Sequence, residues 1–312
     1  LKPACHESFS GVTLASRITI DQGMTPEEYC QQKTARSGSS FYYSFLFLPE
    51  ERRRAITALY AFCREVDDVV DECVDVGVAR TKLAWWREEI GRLFDGTPQH
   101  PVSRALTPAI ADFGLAQEYF LEIIDGMQMD LDYDAYPSFT ELSLYCYRVA
   151  GVVGLLAARI FGYQDPATER YANDLGLAFQ LTNILRDVRE DVARGRVYLP
   201  LDELQRFGVT ADDLRKPATD DALRELFAFQ AARARDYYRR AFEHLPDGDR
   251  HAQRSGLIMA EIYQRLLDEI ERDGYRVLEH RIRLTPLRKL WLAWRTARRE
   301  ERLRRRQPAP AA

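Results

Sequence analysis

Two pairs of aspartates carry most of the chemistry legible in this chain: Asp67 with Asp71, inside Arg64-Glu65-Val66-Asp67-Asp68-Val69-Val70-Asp71-Glu72, and Asp187 with Asp191, inside Asn183-Ile184-Leu185-Arg186-Asp187-Val188-Arg189-Glu190-Asp191. Four residues along an α-helix turn through about 40° beyond a full circle, so each pair stacks on one face while Asp68 points about a quarter-turn away. Asn183 lies one turn before Asp187 and Gln180 nearly two, which extends the second face into a ladder of amide and carboxylate groups. Like charges at this spacing repel. A hard divalent cation relieves that repulsion, because Mg²⁺ prefers carboxylate, amide carbonyl, water and phosphate oxygens. One such pair alone reads more readily as a solvated helix face; two, each with an arginine close by and apolar neighbours around it, point to metal. Two walls of Mg²⁺ ligands suit the departure of diphosphate from an allylic carbon, where the leaving group gathers negative charge and the remaining fragment becomes a carbocation. Arg64 and Arg186 are spaced to reach phosphate oxygens, or to pair with the neighbouring carboxylates instead.

A carbocation also needs a dry chamber poor in nucleophiles. The stretch from Tyr145 to Leu156 fits: Tyr145, Val149 and Val153 share a face, and Gly151 and Gly154 permit a close approach or a kink. Taken alone, the same stretch reads more readily as core packing. Tyr60, seven residues before Asp67, shares the aspartate face and reads as further lining.

The elements that must carry these residues are helical throughout. Thr25-Pro26-Glu27-Glu28 combines an N-cap, a first-turn proline and a capping-box glutamate, which predicts a helix to about Arg36. From Pro49 to Glu72, apolar residues Ile56, Leu59, Tyr60, Cys63, Val66 and Val70 recur at threes and fours. Similar patterns cover about 78–95, 103–113, 116–132, 138–162, 166–192, 220–244, 249–273 and 286–306, separated by short Gly- and Pro-containing breaks. The longer irregular stretch from Gly195 to about Thr219 has room for one short helix. The expectation is a single all-α domain of about ten helices over 24–292, with residues 1–23 as an arm that is disordered or not native to the fold, and 293–312 as a basic tail.

The chain has 312 residues, 46% hydrophobic and 29% charged, with a formal net charge of −4. That composition excludes collagen-like and disordered classes. No uncharged apolar stretch approaches the roughly 18 residues of a membrane span, so an integral membrane protein is not expected. Cys5, Cys30, Cys63, Cys73 and Cys146 form no C-x-x-C pair, which argues against a disulfide framework or zinc cage and for a reducing, cytoplasmic setting. Residues 281–306 carry eleven Arg and Lys against Glu300 and Glu301, a local +9 that leaves about −13 for the rest. An acidic body argues against nucleic-acid binding. The helix Pro286–Arg295 mixes Trp and Leu with basic residues, and reads either as a peripheral contact with anionic lipid at the inner face of the membrane or as a final helix packed on the body.

The sequence resembles the squalene and phytoene synthase family of trans head-to-head isoprenyl diphosphate synthases. The matching segments are Ser39-Ser40-Phe41-Tyr42, Tyr60 through Asp68, Tyr145 through Gly154, Gln180 through Asp187, and Gly195-Arg196-Val197-Tyr198-Leu199-Pro200, over about Met24 to Leu292. Within that family, the run from Gly38 to Phe45 together with Phe62 to Glu72 is most similar to bacterial presqualene diphosphate synthases of hopanoid pathways. The resemblance implies the all-α isoprenoid synthase fold around a central prenyl-diphosphate cavity. It implies two or three Mg²⁺ held by Asp67, Asp71, Asn183, Asp187 and Asp191, and phosphate contacts from Ser40, Arg64, Arg186, Tyr263 and Arg281. Tyr60, Tyr145, Val149, Val153 and Gln180 would shape the prenyl channel. The implied reaction joins two farnesyl diphosphates: one ionises, the double bond of the other attacks the allylic cation, and proton loss to released diphosphate or to Tyr145 closes a cyclopropane. This step takes no NADPH, and downstream pathway enzymes would take its product. Phytoene synthase and complete NADPH-dependent squalene synthase are the alternatives within the family. A helical scaffold binding a basic partner is the non-enzyme alternative, and would show neither Mg²⁺ dependence nor release of diphosphate.

Overall fold

The computed structural model describes residues 23–36 and 41–306, so Ser40 and the expected arm, apart from Gly23, lie outside the described residues. Helix α1 (Pro26–Arg36) begins on the expected reciprocal cap, with Thr25 N donating to Glu28 Oε2 at 2.8 Å and Glu28 N donating to Thr25 Oγ1 at 3.2 Å. A short α2 (Phe41–Phe45) leads into α3 (Glu50–Glu72), which buries Ile56, Leu59, Phe62, Val66 and Val70. Next come α4 (Val76–Phe94), α5 (Pro101–Phe113) and α6 (Gln117–Asp132), then α7 (Phe139–Cys146) and α8 (Val152–Phe161). The long α9 (Ala167–Ala193) is followed by the short α10 (Leu201–Arg206), then α11 (Asp221–His244), α12 (Arg254–Arg272) and α13 (Pro286–Arg306). Among the described residues the only β-pairing is an isolated bridge between Ala135 and Val197.

Two departures from the sequence reading have physical causes. The helix expected over 138–162 is continuous but widens into a π-helical turn at Tyr147–Gly151, where Val152 N donates to Tyr147 O. In an unbroken α-helix, Tyr145 and Val153 would drift about 80° apart; the wider turn takes up part of that drift and lets Tyr145, Val149 and Val153 all face one cavity. The helix expected from 249 begins only at Arg254. The Asp249 carboxylate is engaged by Gln164 N, Asp165 N and Thr168 Oγ1 at 2.7–3.0 Å, and Gln253 Nε2 donates to Ala158 O and Gly162 O. The helix Phe139–Phe161 is long and apolar enough to cross a bilayer by length and composition. Here it packs on α6 and α9 in the middle of the bundle.

That packing is backbone against backbone. A Cβ on Gly154 would lie 2.4 Å from Ala172 O, and one on Gly176 would lie 2.4 Å from Ala150 O. Neither carbonyl belongs to a side chain that can swing aside, so Gly154→Ala and Gly176→Ala should each cost about 3 kcal/mol of stability by urea denaturation. A loss under about 0.5 kcal/mol would mean that the helices slide apart freely.

Two buried clusters result. One joins α9, α11 and α12; the other joins α3, α4, α5 and α6 with α8. Phe41, Tyr147 and Val149 pack against both. The division expected at residue 293 falls inside α13, which runs on to Arg306 with Thr296 and Glu300 buried against the body.

Candidate active site

Between the clusters lies a cavity of about 260 Å³. Its lining includes Tyr60, Arg64, Asp67, Tyr145, Val149, Val153, Gln180 and Asn183, so every residue expected to shape the prenyl channel faces it. Asp67 of α3 and Asn183 of α9 line the same space, whereas Asp71, Asp187 and Asp191 stand outside its lining. From Asn183, the α9 lining runs back through Phe179, Gly176 and Ala172 to Tyr171. Twelve residues at 1.5 Å each make this wall about 18 Å long. At the Tyr171 end stand Phe161, Gln253 and Gly256. The Tyr171 hydroxyl is buried without a hydrogen-bond partner and lies 2.7 Å from where a Cβ on Gly256 would sit.

At the aspartate end, arginines occupy the carboxylates. Arg64, placed by the sequence either on phosphate or on a carboxylate, bonds Asp67 and Asp68. Arg186 likewise bonds Asp187, with Nε 2.7 Å from Oδ1, and Tyr263 accepts a hydrogen bond from the same guanidinium. Arg281 Nη2 reaches Asp187 Oδ1 at 2.7 Å, so it belongs to the second ladder. Asp71 is held by Arg194 and Arg196, both at 2.8 Å. Asp68, which shares Arg64 with Asp67, is also tied to Lys33 of α1 at 2.8 Å, in keeping with its quarter-turn offset.

Sequence reasoning missed Asp130. Its carboxylate stands behind Tyr145 and accepts from Tyr145 Oη at 3.0 Å and Tyr198 Oη at 2.7 Å. It sits on α6 among Met127, Met129 and Leu131, and an aspartate inside an apolar stripe was the available signal. Arg194, Arg196 and Tyr198 were also missed. They follow α9 in an irregular loop, where no periodicity assigns a face.

Crowding raises several carboxyl groups. Burial, outweighing the arginine, pushes Asp67 up to about 6. Burial raises Asp130 to about 6, and burial with the charge of Asp187 raises Asp191 to about 7. Burial and then Asp130 hold the Tyr145 phenol well above its ordinary value. Carboxyls in an unfolded chain titrate near 4. The stabilisation linked to their protonation is therefore complete below about pH 4 and lost as pH rises through 6 to 7. The metal-free protein should accordingly melt at a lower temperature at pH 8 than at pH 5.5, and Asp191→Asn should flatten the difference. A melting temperature rising over that interval would contradict the crowding.

No three Asp, Glu, His or Cys side chains converge as a ready metal cage among the described residues. Mg²⁺ needs none, since it takes one or two carboxylates and completes its shell with water and phosphate. The donors here are all hard oxygens, and Asn183 Oδ1 is buried without a partner, an atom that a cation would satisfy. The residues fit Mg²⁺.

An all-α chamber, apolar along its length and reached by Asp67 and Asn183 from two different helices, with arginines on the neighbouring carboxylates, defines the class of the isoprenoid synthase fold. A solved dehydrosqualene synthase superposes with a TM-score of 0.79 at 29% identity, covering 89% of this chain and 97% of that one. The family model for squalene/phytoene synthase matches residues 34–288. The chain belongs to the squalene/phytoene synthase family, whose members are prenyltransferases. It is 39% identical to a phytoene synthase of Arthrospira platensis over 81% of this chain and 86% of that protein. It is 35% identical to a presqualene diphosphate synthase of Sinorhizobium fredii over 86% and 96% respectively.

Proposed function

We propose that this enzyme condenses two farnesyl diphosphates head to head into presqualene diphosphate, releasing one diphosphate and feeding squalene and hopanoid formation. The observation that carries the chain length is Tyr171 at the end of the cavity. An extended farnesyl chain measures about 14 Å and a geranylgeranyl chain about 19 Å, from C–C bonds near 1.5 Å. With the diphosphate at the level of Asn183, the first ends short of the Tyr171 ring and the second runs into it. Near that ring, the buried Glu300 carboxylate, paired with the partly exposed Arg250, places charge rather than room for more hydrocarbon. The phytoene synthase names among the relatives favour a second reading, with geranylgeranyl diphosphate as substrate.

When bound, Mg²⁺ held by Asp67, Asp71, Asn183, Asp187 and Asp191 would neutralise the diphosphate and act as a Lewis acid on its departure. Incoming phosphate oxygens would draw Arg64, Arg186 and Arg281 from the carboxylates they now hold, leaving the aspartates to the cations. The apolar walls keep water from the allylic cation. The C1 proton lost on cyclopropane closure passes to the Tyr145 oxygen as the Tyr145 proton passes to Asp130, so the phenol stays neutral throughout.

Relative kcat/KM for the two diphosphates tests the chain length. The wild type should prefer farnesyl diphosphate. Tyr171→Ala should shift the ratio about tenfold or more toward geranylgeranyl diphosphate, and Tyr171→Phe, which keeps the ring, should not. A wild type that prefers geranylgeranyl diphosphate would favour the second reading.

A further inference from the structure

We infer that the solvent face of α13 is a docking surface for an anionic lipid bilayer. Leu292, Ala293, Thr296 and Glu300 turn inward and are buried. On the opposite side, the i,i+4 pairs Leu287 with Trp291 and Leu290 with Trp294 share one face, and Leu287, Leu290, Trp291 and Trp294 are 81%, 44%, 52% and 49% exposed. Large apolar side chains grouped in one exposed stripe mark a contact site rather than ordinary surface. Further along the same face stand Arg298, Arg302 and Arg305, all exposed. Glu301, the acidic residue on this face, is held by His251, Arg304 and Arg305.

Tryptophan and leucine ahead of a run of arginine, on a helix whose other side is fastened to the body, is the composition that lies in a membrane interface: rings at headgroup depth, guanidinium groups on anionic lipid. Arg295 stacks over the Trp291 ring at 4.7 Å and Arg298 over the Trp294 ring at 5.4 Å, so cation and aromatic ring are presented together. A protein partner would have to match both the apolar stripe and the basic run, whereas an anionic bilayer offers both chemistries in one plane.

The surface also adjoins the active site. Lys289 stands 5.9 Å from the Tyr43 ring, close enough to Arg186 for the two charges to repel. The connection from α12 to α13 carries Arg281, which holds Asp187. A product too apolar for water would thus leave beside the bilayer. Attachment itself does not depend on which prenyl diphosphate the enzyme takes.

Flotation of the full chain with vesicles tests this. The wild type should float with phosphatidylcholine vesicles containing phosphatidylglycerol about tenfold more than with phosphatidylcholine alone. Trp291→Ser with Trp294→Ser should lower the floated fraction about tenfold. Arg298→Glu with Arg302→Glu should lower it on anionic vesicles only. All variants should keep the wild-type melting temperature and turnover of detergent-dispersed farnesyl diphosphate. Brominated lipid should quench wild-type fluorescence, since Trp291 and Trp294 are two of the four tryptophans. Equal flotation of wild type and the tryptophan variant, or no preference for anionic vesicles, overturns the inference. So does a dimer in solution that the tryptophan substitutions abolish, because the face would then be a contact between proteins.

Discussion

Asp67→Asn and Asp187→Asn should each lower kcat for prenyl diphosphate turnover by at least about 10³-fold, or roughly 4 kcal/mol of transition-state stabilisation. Asparagine keeps the volume and the helix but removes the charge that opposes Mg²⁺, and a bound metal contributes several kcal/mol to the departure of an anionic leaving group. Loss of fold does not explain such a result in advance. Burial works against the charge of Asp67, which sits near Asp71, so the neutral amide should leave stability equal or higher. Thermal melts run beside the kinetics check this. In the wild type, Mg²⁺ with inorganic diphosphate should raise the melting temperature; in either variant the rise should be lost. Asp68→Asn is the control, since Asp68 is offset from the metal-facing pair and bonds Lys33 and Arg64, and it should retain activity within about threefold.

Asp130→Asn and Tyr145→Phe should each reduce turnover by about 10²-fold or more, the range for a positioned proton acceptor. The double variant should lose little beyond the worse single one, because the two groups act as one unit. Tyr198→Phe removes the other donor to Asp130 but no proton step, and should cost less. A pH profile separates a proton relay from a merely structural role. With Asp130 raised to about 6, kcat should fall as pH drops through 6 and the acceptor fills, and Asp130→Asn should abolish that limb. An unchanged limb in the variant would remove Asp130 from the proton path.

Helix boundaries were legible because caps and apolar periodicity are local. Thr25-Pro26-Glu27-Glu28 set the start of α1, and the stripe from Ile56 to Val70 set the inward face of α3. The aspartate ladders were legible for the same reason: spacing along one helix decides which groups stack, as the separation of Asp67 and Asp71 from Asp68 shows. The start of α12 was not, because Asp249 and Gln253 are drawn off by partners more than eighty residues away. The π-turn at Tyr147–Gly151 depends on how closely Gly154 and Gly176 let two helices approach, a tertiary fact. Asp130 offered only its apolar neighbours as a signal, and its role shows where Tyr145 and Tyr198 converge on it. The arginines were half legible: sequence offered phosphate or carboxylate, and each of Arg64 and Arg186 sits on a carboxylate. Tyr171 carried no signal as a buried helix residue, and it gained one only when its unpartnered hydroxyl was found at the end of the cavity.

The most direct measurement is product identification after incubating the full chain with farnesyl diphosphate and Mg²⁺, without NADPH. The predicted result is presqualene diphosphate, with one inorganic diphosphate released for every two farnesyl diphosphates consumed, and neither formed when Mg²⁺ is chelated. No diphosphate release, or turnover confined to geranylgeranyl diphosphate, would contradict it.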